Sequence, residues 1–413
     1  MLKNITPALL LSFLVTTSIH AEYASTDEQF KPELTNQMLE QYGAGFTGLE
    51  HKNLGDSVRL HLNYNGPVKL TLPNGIRLSY GEIVMFAGDM FGNPAKPVSD
   101  CKETDRLSCF KAQFEALGVK GNPEDQRCAN PLNQVVKLGN YMTGIENELK
   151  QARDAGVTDW DFYLQHDVDI TKKMNELTCG GSFISSFIPF GTYIKLAQVN
   201  YDHFAPDSLN AYKAGHQYAL ETAIEAYKKR KSGHHKHALK LLELAYAQNA
   251  FANHYLTDSF SAGHMRVPRR AIAQDIMLPA VLNLLIANLM HNEDNKNGLN
   301  VVNAEGTSWV AYGDGYLYKP EAQMQRAVML DAMQRSADGV YEAYRKGRMP
   351  EHFSEMDLFP DYSKVEQLNQ SAALFKVENG VLLKRVNNRD PYDANWTQHW
   401  SGLITLIEFQ TQK

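Results

Sequence analysis

The chain has 413 residues, a hydrophobic content of 43%, a charged content of 21% and a formal net charge of −6. This composition excludes a disordered or low-complexity polypeptide, and the negative balance disfavours a nucleic-acid binder that relies on overall positive charge. The length leaves room for two or three domains at roughly 100–200 residues each.

Residues 1–21 read as an export signal. Lys3 gives the positive start, ALLLSFLVTTSI the apolar core, and Ala21 a small residue before a cut. That core is shorter than the roughly 20 apolar residues a membrane span needs, so no span is expected in the mature chain. Residues 22–135 form an N-terminal, β-containing, cysteine-bearing region, with GAGFTGLEHKNLG as a loop. Val58, Leu60, Leu62 and Tyr64 alternate with polar residues, as in a half-buried strand. Asn65-Gly66 and Asn74-Gly75 then predict the turns of a short meander. The run SYGEIVMFAGDMFGNP, carrying Glu82 and Asp89, reads as helix-like, and 97–135 as an irregular connection. Cys101, Cys109, Cys128 and Cys179 suit up to two disulfides of an exported chain. They lack the paired CxxC spacing of a structural zinc site.

Residues 136–349 read as a helical core. Helices are predicted over VVKLGNYMTGIENELKQARDAG, WDFYLQHDVDITKKMNEL, 208–231, 238–257, 271–291 with a kink at Pro279, and 320–346. An apolar loop covers 179–191, and its phenylalanines could be core or a lipid-facing surface. A hairpin insertion covers 298–318, and the C-terminal extension, 350–413, carries a further hairpin at Asn379-Gly380. The fold class is therefore mainly α: a helical bundle with a β-hairpin-containing N-terminal portion and small β insertions.

The chemistry concentrates in NAFANHYLTDSFSAGHMRVPRR. His254 and Asp258 stand four apart on one helix face, and His264 follows at the exit turn. Two imidazoles and a carboxylate converging this way suit a divalent metal. Further metal-type side chains lie in NYDHFAPD (Asp202, His203), MHNEDN (His291, Glu293, Asp294), LQHDVD (His166, Asp167) and at Asp89. Arg266 could grip a phosphate through a bidentate contact, whereas Arg269 and Arg270 read as a solvated basic turn. His234, His235 and His237 read as exposed linker residues.

The segment HYLTDSFSAGH resembles the signature of the bacterial zinc-dependent phospholipases C, H-Y-L-x-D-x5-H, with His254, Asp258 and His264 at its three ligand positions. DHFAPD is similar to a second family segment and puts His203 51 residues before His254. The resemblance implies a helical fold shared with S1/P1-type nucleases and a site for two to three zinc ions. It implies one zinc on His203 and His254, a second on Asp258, and another on His264, His291 and an acid, Glu293 or Asp294. His216 offers a competing alignment with Asp202 and is the less favoured. The family's mature chain begins with a ligating tryptophan followed closely by a histidine. A cut after Ala21 leaves Glu22 first, so a third metal needs substitutes such as Asp89 or the His166/Asp167 pair.

The expected activity is that of an exported zinc metallophospholipase C. It would hydrolyse glycerophospholipids such as phosphatidylcholine to diacylglycerol and a phosphorylated headgroup, with Asp202, Asp167 or Asp89 as general base. Its partner would be a phospholipid surface, and its place the periplasm, the outer surface or the medium. The alternatives are another metal-dependent phosphodiesterase or S1/P1-type nuclease, and a non-catalytic envelope protein with structural metal.

Overall fold

The computed structural model describes residues 48–62, 68–120, 128, 130–181, 185, 188–276, 280–313 and 315–400. The export signal, the Asn65-Gly66 turn, Pro279 and much of the 179–191 loop lie outside them. The architecture is mainly helical with small antiparallel strand pairs, as the sequence predicts.

Its axis is a helical hairpin, which comprises the seventh and eighth helices among the described residues. The first six are α1 (Gly48–Asp56), α2 (Tyr80–Phe86), α3 (Arg106–Gly118), α4 (Pro131–Asp154), α5 (Asp159–Leu177) and α6 (Thr192–Gln198). The hairpin is α7 (Asp207–Lys231) and α8 (His235–Asp258). Alanines line both arms, including Ala211, Ala219 and Ala223 on α7 and Ala245 and Ala252 on α8, so the backbones approach closely. At Gly215 a Cβ would stand 2.3 Å from the Phe110 ring and 2.6 Å from the Ala252 methyl, so α3 closes over the pair only because that position is glycine. Every residue of α8 from Ala245 to Asp258 is buried. A helix enclosed on all sides must satisfy its polar side chains internally, and these include Asn249, Asn253, His254, Thr257 and Asp258.

Around the hairpin follow α9 (Arg269–Gln274), α10 (Ala280–Asn297), α11 (Gln323–Lys346) and α12 (Val365–Leu368). The 271–291 prediction is thus divided between two helices. α2 starts with a capping box in which Ser79 and Glu82 exchange side-chain-to-backbone hydrogen bonds.

Three small sheets complete the described residues. β1 (Leu70–Thr71) and β2 (Arg77–Leu78) flank Asn74-Gly75, where Gly75 takes φ +88°. β3 (Leu299–Val302) pairs with β4 (Ser308–Ala311), realising the predicted insertion. β5 (Phe375–Glu378) and β6 (Val381–Arg385) turn at Asn379-Gly380, and β7 (Trp396–Thr397) joins β6. This last sheet covers α10 through a second core containing Phe375, Leu382, Leu285 and Ile286.

Three expectations need correction. Residues 58–62 make no strand: the Arg59 N–H donates to Gln334 on α11 and the His61 N–H to the Tyr246 hydroxyl on α8. Side chains rather than a neighbouring strand satisfy that backbone. The supposed loop at 43–55 contains α1, and the 97–135 connection contains α3. Both disulfides form, Cys101–Cys109 and Cys128–Cys179. Among the described residues no helix is long and apolar enough to cross a membrane.

Candidate metal centre

The last turn of α8 presents His254 and Asp258, both buried. His254 Nδ1 lies 2.9 Å from the Val84 carbonyl of α2. Because that carbonyl only accepts, Nδ1 carries the proton and Nε2 keeps its lone pair, the usual outer contact of a metal-binding imidazole. His203 sits on a 3-10 turn, Asn200–His203, and its Nδ1 stands 3.0 Å from His254 Nε2 and 2.8 Å from Asp258 Oδ2. Asp89 follows α2 on a tight turn, its oxygens 3.8 Å from His203 Nδ1 and 3.7 Å from His254 Nε2. One ligand atom each from Asp89, His203 and His254 falls within 4.8 Å of the others, so this cluster can hold a metal ion. Asp89 is its solvent-reaching member, at 24% exposure.

Gly88 makes the cluster possible. Its φ is +73°, and a Cβ there would stand 2.7 Å from His203 Cε1 and 3.1 Å from His254 Cδ2. The bare backbone lets both imidazoles settle against the turn that carries Asp89.

Burial holds the pKa of His254 well below the ordinary imidazole value, with neighbouring His203, His51 and His264 acting the same way. Burial also lowers His203, against the pull of Asp89 and Asp202. Both rings are therefore neutral near pH 7, the form that binds metal.

The other oxygen of Asp258 faces a second group. His51 of α1 points Nε2 at Asp258 Oδ1, 3.6 Å away, while its Nδ1 lies 2.7 Å from Thr257 Oγ1. The Thr257 hydroxyl donates to the Asn253 or His254 carbonyl, so it accepts from His51 Nδ1–H and leaves the lone pair on Nε2. The sequence reading missed His51, because it lay in a segment taken as loop. His264, on the 3-10 turn Ala262–His264, sits with Nδ1 3.5 Å from Asp258 Oδ1 and 3.2 Å from the Asp258 carbonyl. Its ring packs 5.0 Å from that of His291. Backbone joins the two histidine turns, since the Ala205 N–H donates to the His264 carbonyl at 2.8 Å.

Other predicted residues lie elsewhere. His291 Nδ1 contacts Asn292 Oδ1 at 2.9 Å and its Nε2 the Asn295 amide at 3.1 Å, so side-chain amides meet both nitrogens. Asp294 is held bidentately by Arg266 at 2.9 and 2.7 Å, and Glu293 by Arg385 at 3.1 and 2.5 Å. These pairings replace both the predicted acid ligand and the predicted phosphate contact of Arg266, whose guanidinium also donates to the Ser371 carbonyl. Arg269, expected in solvent, is buried and fastens the His203 turn through Asn200 and the Ala197 and Gln198 carbonyls.

Asp202 accepts from the Val98 N–H at 2.5 Å, the Ser99 N–H at 2.9 Å and the Ser99 hydroxyl. Its role is to lock the turn beside His203. Burial raises the phenol pKa of Tyr193, and the charges of Asp167 and Asp89 act in the same direction. His166 packs on Phe162 at 4.5 Å. His216 lies within the hairpin, its Nδ1 2.7 Å from Asn249 Oδ1 and its Nε2 3.4 Å from Glu355. It belongs to a buried polar network and not to the cluster.

No protein-family model, curated protein or solved structure matches this chain.

Proposed function

We propose that this protein is a metal-dependent phosphodiester hydrolase acting as a phospholipase C on glycerophospholipids outside the cytoplasm. One observation carries the reading: both oxygens of a buried carboxylate, Asp258, face imidazole nitrogens. Oδ2 stands 2.8 Å from His203 and 3.2 Å from His254, while Oδ1 stands 3.6 Å from His51. A carboxylate set between two imidazole groups suits adjacent cations, zinc being the choice of the donor set.

His203, His254 and Asp89 would hold one ion and His51 another, with Asp258 shared. Bound divalent cations would supply a water acidified to near pH 7 and neutralise phosphoryl charge. The chain's own groups do the rest. Val84 and Thr257 fix the tautomers of His254 and His51. Asp89, which reaches solvent, and Asp167 are the candidate carboxylates for taking the water's proton. Asp202 is less suited to that role, because hydrogen bonds already occupy both its oxygens.

The lipid part of the reading rests on the H-Y-L-x-D-x5-H resemblance, and the two disulfides suit an oxidising compartment. The test combines metal analysis of the purified protein with a phospholipid headgroup-release panel, beside a single-stranded nucleic-acid digest. Wild-type protein should release headgroup, and His254→Ala should lose metal and hydrolysis together. Digestion of nucleic acid alone would replace the lipid reading with a nuclease. Fully metallated protein that cleaves no phosphodiester would make the cluster structural.

A further inference from the structure

On the connection between β4 and α11, whose Tyr312 lines a small cavity together with His51, a lysine rests on aromatic rings. The Lys319 ammonium lies 3.8 Å from the Tyr316 ring centroid and 5.5 Å from that of Tyr312. Trp160 of α5 stacks on Tyr316 at 4.7 Å. Two hydrogen bonds fasten this platform to the histidine-bearing segments. The Tyr312 carbonyl accepts from the Ala262 N–H at the start of the His264 turn, and the Leu317 N–H donates to Glu50, the neighbour of His51. His51, Thr257, Tyr312 and Leu317 are among the residues that line this cavity of about 20 Å³.

The platform is held from behind. Gln325 of α11, fully buried, accepts from the Tyr312 N–H at 2.7 Å and donates to the Tyr312 carbonyl at 2.7 Å. Arg326 donates to the Leu317 and Lys319 carbonyls. Within this fixed frame the ammonium itself is uncommitted: among the described residues it makes no hydrogen bond or ion pair. Ring faces attract a cation without using its N–H donors, so none of the three is taken up among the described residues. Lys296 of α10 adds a second positive charge nearby, set against Glu321.

We propose that Lys319, seated on Tyr316 and Tyr312, is the subsite for an anionic group on the lipid headgroup, so that the protein prefers headgroups bearing their own carboxylate or phosphate. The inference rests on the phosphodiesterase reading and adds its substrate class. A positive charge already lying on the ring faces leaves them poorly suited to a quaternary ammonium, which would have to displace it.

Phosphatidylserine and phosphatidylethanolamine differ by one carboxylate and make the test. Metal-loaded protein is titrated calorimetrically with glycerophosphoserine and glycerophosphoethanolamine, and headgroup release is measured on vesicles of each lipid. Wild-type protein should favour the serine compound by about fivefold in both readouts, the scale of one partly exposed charge pair. Lys319→Gln should abolish that ratio while leaving the ethanolamine values unchanged, and Lys319→Arg should retain it. Equal handling of the two compounds by wild type, or equal losses on both in Lys319→Gln, would overturn the assignment. Hydrolysis without discrimination removes this subsite and leaves the phosphodiesterase standing. Absence of hydrolysis removes the phosphodiesterase, while the titration still reads the subsite.

Discussion

His51 Nε2 lies 3.6 Å from Asp258 Oδ1, on the other oxygen from the one that meets His203 and His254. The shared carboxylate makes the two imidazole groups one unit, and α1 is therefore part of the site. His51→Ala should lower the metal content by about one ion per chain and reduce phosphodiester hydrolysis by more than about tenfold. Circular dichroism should stay that of wild type, because His51 is a partly exposed residue of a short helix. Metal analysis of the folded variant checks this; an unchanged metal content would remove His51 from the centre.

Gly88 is the second structural requirement of the site. Gly88→Ala would put a Cβ at φ +73° and 2.7 Å from His203 Cε1. The strain should destabilise the protein by about 2 kcal/mol, and displacement of His203 and His254 should weaken metal binding. Denaturant midpoints measured with and without metal separate the effects. The midpoint gain on adding metal should shrink in the variant, because binding contributes stability only to the state that holds the ligand.

Arg266 distinguishes a structural from a catalytic role. Its guanidinium and the Asp294 carboxylate are only 6% and 3% exposed. Arg266→Ala should therefore cost about 3–5 kcal/mol, since it strands a buried carboxylate. A phosphate-binding arginine would instead raise KM at unchanged stability. Replacing both partners, as Arg266→Met with Asp294→Leu, should recover most of the loss, and thermal unfolding of the three proteins decides the matter.

These results show which parts of the site were legible in the sequence. His254, Asp258 and His264 could be read because one helix and its exit turn carry them, so short-range spacing fixes their geometry. His203 was legible only through its DHFAPD context. His51 was hidden because α1 has glycine at both Gly48 and Gly55 and little periodicity, and its function depends on docking 206 positions from Thr257. Glu293 and Asp294 follow His291 closely in the chain and were alternative candidates for one ligand, yet Arg385 and Arg266 meet them from 92 and 28 positions away. Long-range pairing of that kind leaves no local pattern. For the fold, Asn74-Gly75 and Asn379-Gly380 were readable because a tight turn demands those residues. The alternation at 58–62 misled because its hydrogen-bond partners are the side chains of Tyr246 and Gln334.

The two central imidazoles give the protein a pH response with a definite sign. In the metal-free protein burial lowers the pKa values of His254 and His203. The folded state then binds fewer protons than the unfolded state, whose imidazoles titrate near about 6.5. Stability should accordingly fall as pH drops through about 6.5, and continue to fall until the folded pKa values are reached. Metal retention should behave differently. Protons compete for these ligands only once the folded imidazoles titrate, so metal should stay bound at a pH where free histidine is already half protonated. Urea midpoints of chelator-treated protein between pH 5 and 8, measured beside metal content over the same range, test both statements. Substituting His254→Gln should flatten the metal-free profile, because the group with the strongly lowered pKa is then gone; a slope as steep as that of wild type would place the pH response in other residues.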